Sequence, residues 1–465
     1  MARAYRLAQK LKVDSARLLL AAPLQGDDEA CRLLALSYAD FIEVLVGEAD
    51  DEPAWLAPKM KARNNALEDM NSKTAWARHA RAEMLLHEGL LNARFGNNVK
   101  AGLTLRKAFL AGKDNAADFP NFLSAQKSLG IYNLLFGLAP SQYRWALRLF
   151  NVEGNADDGF IDLKKSASQP NAQQQESLFL LGLANIYLKD NPIEGTRLIN
   201  QYINNEADDI AGLAALATVY MRGFQNQKGL STALFARQDA SQVPFHYLKM
   251  LRGELYLQQL AYDSAITNLE AYLAVCSQTR FVKDLHYKLF LAYYLKGNKE
   301  KANTYFYTIP SVGTVGSEGD RYAEYFSKRG LIPNKALLRS RLLFDGGYWA
   351  RANAMLDSIR LRDLPSITEQ TELAYRRARI AQKTGNNQQA IALFQLAISI
   401  GADDPSYFAA MSSLQLGYLY RKEKKIADAK AAFERVLTFP EHEYKDGLDY
   451  RANSGLKSLK RKSKS

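Results

Sequence analysis

YRRARIAQKTGNNQQAIALFQLAI, residues 375–398, places small residues at Ala378 and Ala381, a glycine at Gly385, and then Ala390, Phe394 and Ala397. Small and apolar positions recur three and four apart on both sides of the glycine, which predicts two amphipathic helices joined by a tight turn. LQLGYLYRKEKKIADAKAAFERVL, residues 414–437, repeats the arrangement with Gly417, Tyr420, Ala429, Phe433 and Val436. In both stretches twelve residues separate the first small position from the second; a phenylalanine follows four later and an Ala or Val three after that. Two helices that cross closely need a small residue on each at the crossing point, and the phenylalanine then fills the gap to the next helix.

The same ruler finds further pairs upstream. Ser340, Leu343, Gly347, Ala352, Leu356 and Ile359 form one, and Tyr293, Gly297, Ala302 and Phe306 another. Gly253, Tyr256, Ala265 and Leu269 make a third; Ala217, Tyr220, Gly229 and Ala233 a fourth. Gly89, Gly96, Ala101, Leu105 and Ala108 mark one near the front, with a looser match around Ala184 and Tyr187. The landmarks Ala265, Ala302, Ala352, Ala390 and Ala429 lie 37, 50, 38 and 39 apart, above the ~34 of the tetratricopeptide repeat (TPR) that the pattern resembles. The Gly/Ser/Pro loop TIPSVGTVGSEGD, residues 308–320, accounts for the longest gap. With no strand alternation to compete, the expected fold is all-α, a right-handed α-α superhelix (TPR-like solenoid) of about nine helix pairs. Four segments are expected: a helical N-terminal cap at 1–70, repeats at 71–240 and at 241–447, and a basic flexible tail at 448–465.

The section 76–170 is more distinctive. Leu105, Arg106, Lys107, Ala108 and Phe109 are followed by Gly130, Asn133, Leu134, Leu135 and Pro140, then by Gly154, Asp157, Gly159 and Leu163. This order resembles the Iml2/TTC39-like family of TPR proteins, whose members carry an LRKAY-like helix, a GIGLFNLLLSLLP-like run and a GFSGD turn; here the turn reads NVEGNADDG. The resemblance implies an adaptor or scaffold without catalytic chemistry, with family associations to lipid handling and protein quality control. Ser128 to Tyr143 carry no formal charge, but the run is shorter than the ~20 residues of a membrane span and is broken by Gly130, Asn133, Gly137 and Pro140. It is expected as a buried helix corner, one helix ending near Leu138 and the next starting at Ser141 or Gln142.

Composition fits a folded helical protein, with 47% apolar and 24% charged residues in 465. The net charge of +12 falls to +6 without Arg451–Ser465, which hold six Lys/Arg and no acid. The charge is therefore poor support for a nucleic-acid partner, which is not expected. Cys31 and Cys276 read as small core residues. The opening MARAYRLAQKLK is basic and amphipathic with no apolar stretch after it, so the compartment is left open: cytoplasmic for a chain complete as given, exported if a leader was removed. His79, His87, His246, His286 and His442 have no metal-ligand spacing, GNADDG lacks ligands at its first and third calcium positions, and no nucleophile elbow or phosphate loop occurs. No catalytic or metal site, cofactor or small-molecule substrate is expected, and the chain is not expected to be an enzyme.

What remains is the concave face of the repeats. Counting from the landmarks places Tyr247, Tyr287, Tyr294, Arg341, Phe344, Tyr375, Arg379, Tyr418, Arg421 and Lys422 along it. Aromatic rings beside guanidinium heads suit an extended, acidic peptide, so a protein or peptide partner in this groove is the expected function. The alternative is a lipid- or membrane-surface binder acting through the apolar 128–140 region or the basic C-terminal tail.

Overall fold

The computed structural model describes residues 1–70, 73–137, 154–189, 191–277, 279–330, 332–442 and 444–462. The chain is all-α, with 24 helices and no strand among the described residues. Its contacts divide it into two compact units: Met1–Gly223 with Gln227–Arg252 and Ala274–Gln278, and Phe224–Asn226 with Gly253–Leu273 and Thr279–Ser465.

The first unit opens with α1 (Ala2–Gln9), α2 (Val13–Leu19), α3 (Gly26–Val46) and α4 (Leu56–Asp69). Helix pairs then follow: α5 (Ala75–Arg94) with α6 (Asn98–Asp118), α7 (Leu123–Gly137) with α8 (Ala156–Ser168), and α9 (Gln174–Leu188) with α10 (Pro192–Ile203). Then come α11 (Ile210–Arg222), α12 (Asn226–Phe235) and α13 (Tyr247–Gln258), the last belonging to this unit only as far as Arg252. The α7–α8 crossing shows why the spacing reads as it does. A Cβ on Gly130 would stand 2.6 Å from the Leu163 side chain, so only glycine permits the approach. Ser128 and Tyr132 are fully buried beside it. The expected break near Leu138 and restart at Ser141 lie outside the described residues.

The N-terminal segment is tied to distant parts of its own unit. Tyr5 stacks on Tyr38 at 4.4 Å, Arg6 pairs with Glu206 and, at 2.8 Å, with Asp209, and Lys10 reaches Asp208 at 2.9 Å. Gln242 Nε2 donates to the Lys10 carbonyl at 2.6 Å. Asp209 caps α11 by accepting from the Gly212 N–H at 3.0 Å.

The second unit contains α14 (Tyr262–Leu273), α15 (Val282–Lys296), α16 (Lys299–Thr308), α17 (Glu318–Arg329), α18 (Lys335–Asp345), α19 (Trp349–Ala354), α20 (Ile367–Lys383), α21 (Asn387–Ile400), α22 (Phe408–Lys422) and α23 (Ile426–Val436). The repeat landmarks Ala378, Ala390, Phe394, Ala397, Ala429, Phe433 and Val436 are all fully buried in one core. A Cβ on Gly417 would meet the Phe433 ring at 2.5 Å. These are TPR-like helix pairs, built as the spacing predicts.

Two expectations meet a different outcome. Lys445–Lys462, expected as the start of a flexible tail from 448, forms a last helix, α24. Leu448, Ala452 and Leu459 are buried in the core, and Gly455 brings the helix backbone against the Phe433 ring. The two cysteines are half-buried, not core, and Cys276 lies beyond the end of α14. Burial still pushes the Cys31 thiol up to about 11, so it is protonated at neutral pH.

Candidate functional site

The site begins with the Gly/Ser-rich loop before α17. Ser317 and Asp320 form a capping box there. The buried Asp320 carboxylate also accepts from the backbone N–H groups of Phe281, at 2.9 Å, and Asp284, at 3.1 Å. One carboxylate thus caps α17 and fixes it against the start of α15. The result is a ring cluster, with Tyr287 of α15 lying 5.4 Å from Tyr322 and 4.9 Å from Phe326 of α17. From the other side come Tyr407 and Phe408, 4.4 Å apart, at the start of α22, with Tyr444 at 5.0 Å from Tyr407.

Between these rings is a cavity of about 370 Å³. Three guanidinium groups line it. Arg341 of α18 donates to the Tyr287 hydroxyl at 3.2 Å, and Arg329 donates to the Tyr325 hydroxyl at 3.0 Å. Arg376 of α20 is held by Glu372 through Nε at 2.7 Å and lies 5.7 Å from the Phe408 ring centre. Among the described residues, Glu369 and Glu372 oppose them on the cavity wall, and Asp345 of α18 interacts with both Arg341 and Arg376. Burial raises the Tyr322 and Tyr407 phenols well above their ordinary range, so both remain hydrogen-bond donors at any physiological pH. A wall of guanidinium and phenol donors with apolar ring faces suits an anionic or carboxylate-bearing group on a partly apolar body.

The ten residues expected along the groove are distributed unevenly. Tyr247 belongs to the first unit and the other nine to the second. Tyr287 and Arg341 line the cavity together. Tyr294 donates to the carbonyl of Pro333, itself a lining residue, at 3.0 Å. Tyr375 is only 8% exposed and lies behind the wall, 5.5 Å from Phe408. Phe344 is also buried, with the Arg379 guanidinium 5.3 Å from its ring. Tyr418 packs on Phe433, Arg421 donates to Ser458 at 2.9 Å, and Lys422 is exposed. The rings and cations of the cavity that the repeat ruler passed over are Tyr322, Tyr325, Phe326, Arg329, Arg376, Tyr407 and Phe408. Tyr322 and Phe326 stand on α17, a helix with no repeat landmark. Arg376 lies next to Tyr375, which the ruler did pick.

Elsewhere, among the described residues, no group of three His, Cys, Asp or Glu is placed to hold a metal ion, and no helix is long and apolar enough to cross a membrane.

No family model matches the chain, and no curated protein matches it. Among solved structures, it is similar to a human IFIT1 dimer with m7Gppp-AAAA, at 15% identity and TM-score 0.39 over 94% of both chains. It is also similar to a tetratricopeptide repeat protein from Parabacteroides merdae, at 16% identity and TM-score 0.29 over 60% of this chain and 99% of that one. Yeast Tom70 gives 13% identity and TM-score 0.25 over 97% and 85%. At these values none bears on what this chain binds.

Proposed function

We propose that the chain is a non-catalytic helical-repeat scaffold that binds an acidic peptide or protein segment in the aromatic–arginine cavity of its second unit. The observation that carries this is the convergence of Arg329, Arg341 and Arg376 on one ring-lined cavity whose wall carries two carboxylates, Glu369 and Glu372, with Asp345 close to Arg341 and Arg376 behind it. A carboxylate side chain would take the guanidinium and phenol donors, and a neighbouring apolar residue would take the ring faces. Tyr294, Arg379, Tyr418, Arg421 and Lys422 belong to this reading as flanking contacts of a longer segment. Kinship with the Iml2/TTC39-like family is part of the same proposal. Its support is the use its landmark residues find here, with Gly130 against Leu163 and Gly159 against Leu134 making the α7–α8 crossing.

The test is fluorescence polarisation with labelled peptides of alternating acidic and aromatic residues, beside peptides in which each acid is replaced by lysine. Acidic peptides should bind, with affinity falling as salt rises. Arg341→Met should weaken binding roughly ten-fold or more, as expected for truncating one partner of a desolvated charge pair. Equal binding of the charge-reversed peptides, or no effect of Arg341→Met, would overturn the proposal.

A further inference from the structure

A second cavity, of about 300 Å³, lies wholly within the first unit. Its walls are aromatic: Tyr38, Phe179, Tyr187, Tyr202, Phe245 and Tyr247 all line it, with Phe179 and Tyr202 5.0 Å apart and Phe245 and Tyr247 6.0 Å apart. The chain's own guanidinium groups already stand over two of them, Arg6 at 4.7 Å from the Tyr202 centre and Arg222 at 4.5 Å from the Tyr187 centre, so the faces of Phe179 and Phe245 are the ones that count for a ligand. Among the described residues one carboxylate stands on this wall, Glu176 at the start of α9. Its Oε2 accepts from Lys127 at 3.0 Å, and its side chain keeps 11% exposure.

The charge around Glu176 does not balance. Lys127, fully buried, is shared between Glu176 and the equally buried Glu83. Two carboxylates therefore face one ammonium, and His79 and His87 add nothing near neutral pH because burial pushes them down to about 4 and about 3. The neighbouring ionic cluster has the same sign. Arg6, Lys10 and Lys12 face Glu206, Asp208, Asp209 and Asp239, three cations against four carboxylates. Burial raises the Glu176 carboxyl above its ordinary range, as expected of an acid whose compensating charge is already committed elsewhere.

We infer that this cavity binds an organic cation, an ammonium group carried on a small apolar body, with its charge directed at Glu176 and its substituents against the ring faces. A cation is the occupant that both features favour. Ring faces attract positive charge, most strongly where water is excluded, and the carboxylate excess repels an anion and gives a neutral ligand no advantage. The volume lies at the lower end of small-ligand sites, enough for a free amine or for one lysine side chain of a peptide. The inference is independent of the acidic-peptide reading, since it concerns a different cavity and the opposite charge.

The experiment is isothermal titration of the full chain with choline and with its neutral isostere 3,3-dimethylbutan-1-ol. A second arm compares acetyl-Gly-Lys-Gly-amide with the same peptide carrying norleucine. Saturable binding of choline or of the lysine peptide, at least ten-fold tighter than its neutral counterpart, is the expected result, and the arm that binds identifies the source of the cation. Glu176→Gln should weaken that binding roughly ten-fold. Phe245→Leu, which keeps the apolar volume and removes a ring face, should weaken it about five-fold. Circular dichroism and thermal midpoints confirm that each variant is folded, and if Glu176→Gln is not, Phe245→Leu decides. Absence of saturable binding in both arms, or neutral probes binding as tightly as cations, would overturn the inference.

Discussion

Lys127 shows what a single residue can hide in a sequence. It precedes the uncharged run at Ser128, and it is completely buried against Glu83 and Glu176. Ser128 donates to the other Glu83 oxygen at 2.5 Å, Gln173 Nε2 donates to Glu83 at 3.3 Å, and His79 Nε2 donates to Gln173 Oε1 at 2.8 Å. Nothing in the periodicity of one helix marks such a site, because its partners are 44 and 49 residues away. Replacing Lys127 by methionine would strand Glu83 without its counter-charge and should cost about 3–5 kcal/mol. The double variant Lys127→Met/Glu83→Gln should recover a good part of that in urea titrations. The histidines give a pH signature. Their folded pKa values of about 4 and about 3 lie below the unfolded value near 6.5. The unfolded state therefore binds more protons in this range, and their contribution is complete above pH 6.5 and is lost as pH falls towards 3. Glu176, with its raised pKa, acts in the opposite sense but is a single group. His79→Gln keeps a donor for Gln173 and should reduce the slope of stability against pH between 6.5 and 4 by about one proton.

At the scale of elements, sequence reading succeeds where helices cross closely and fails where polarity masks a short apolar stripe. The spacing of Gly417, Ala429 and Phe433 predicts a crossing, and the glycine does meet the Phe433 ring. Gly417→Ala should therefore cost about 1–3 kcal/mol through overpacking, read as a lowered thermal midpoint. Gly447→Ala is the control on a neighbouring helix, because a Cβ there meets nothing within 4 Å; it should be neutral or slightly stabilising. The last helix went unread because its many lysines and arginines resemble a solvated tail. Its signal was nevertheless present: Leu448, Ala452, Gly455 and Leu459 recur at intervals of four, three and four, and this is the face that covers Phe433. The cavity of the second unit was legible in part for a related reason. Counting along repeat helices reaches Tyr287 and Arg341 but cannot reach α17, which follows the long inter-repeat loop and lies between the landmarks Phe306 and Ser340.

For the whole molecule, both units contain largely buried ion pairs, Lys127 with Glu83 and Glu176 in the first and Lys288 with Asp284 and Arg376 with Glu372 in the second. What differs is that the first contains both strongly shifted histidines. In helical repeats stability is carried by contacts between neighbours, so separate regions can melt separately once their local free energies diverge. Acid widens that divergence. His286 and His442 in the second unit are also lowered by burial, but both keep more exposure to solvent than the fully buried His79 and His87. Near pH 7 the units should unfold over overlapping ranges of urea, and near pH 4.5 the first should unfold at clearly lower urea than the second. Hydrogen exchange read by mass spectrometry checks this directly. At pH 4.5 and intermediate urea, peptides from α5, α7 and α9 should have lost protection while peptides from α20 to α23 retain it. Simultaneous loss in both sets would mean that the buried network does not set the acid stability of its own unit.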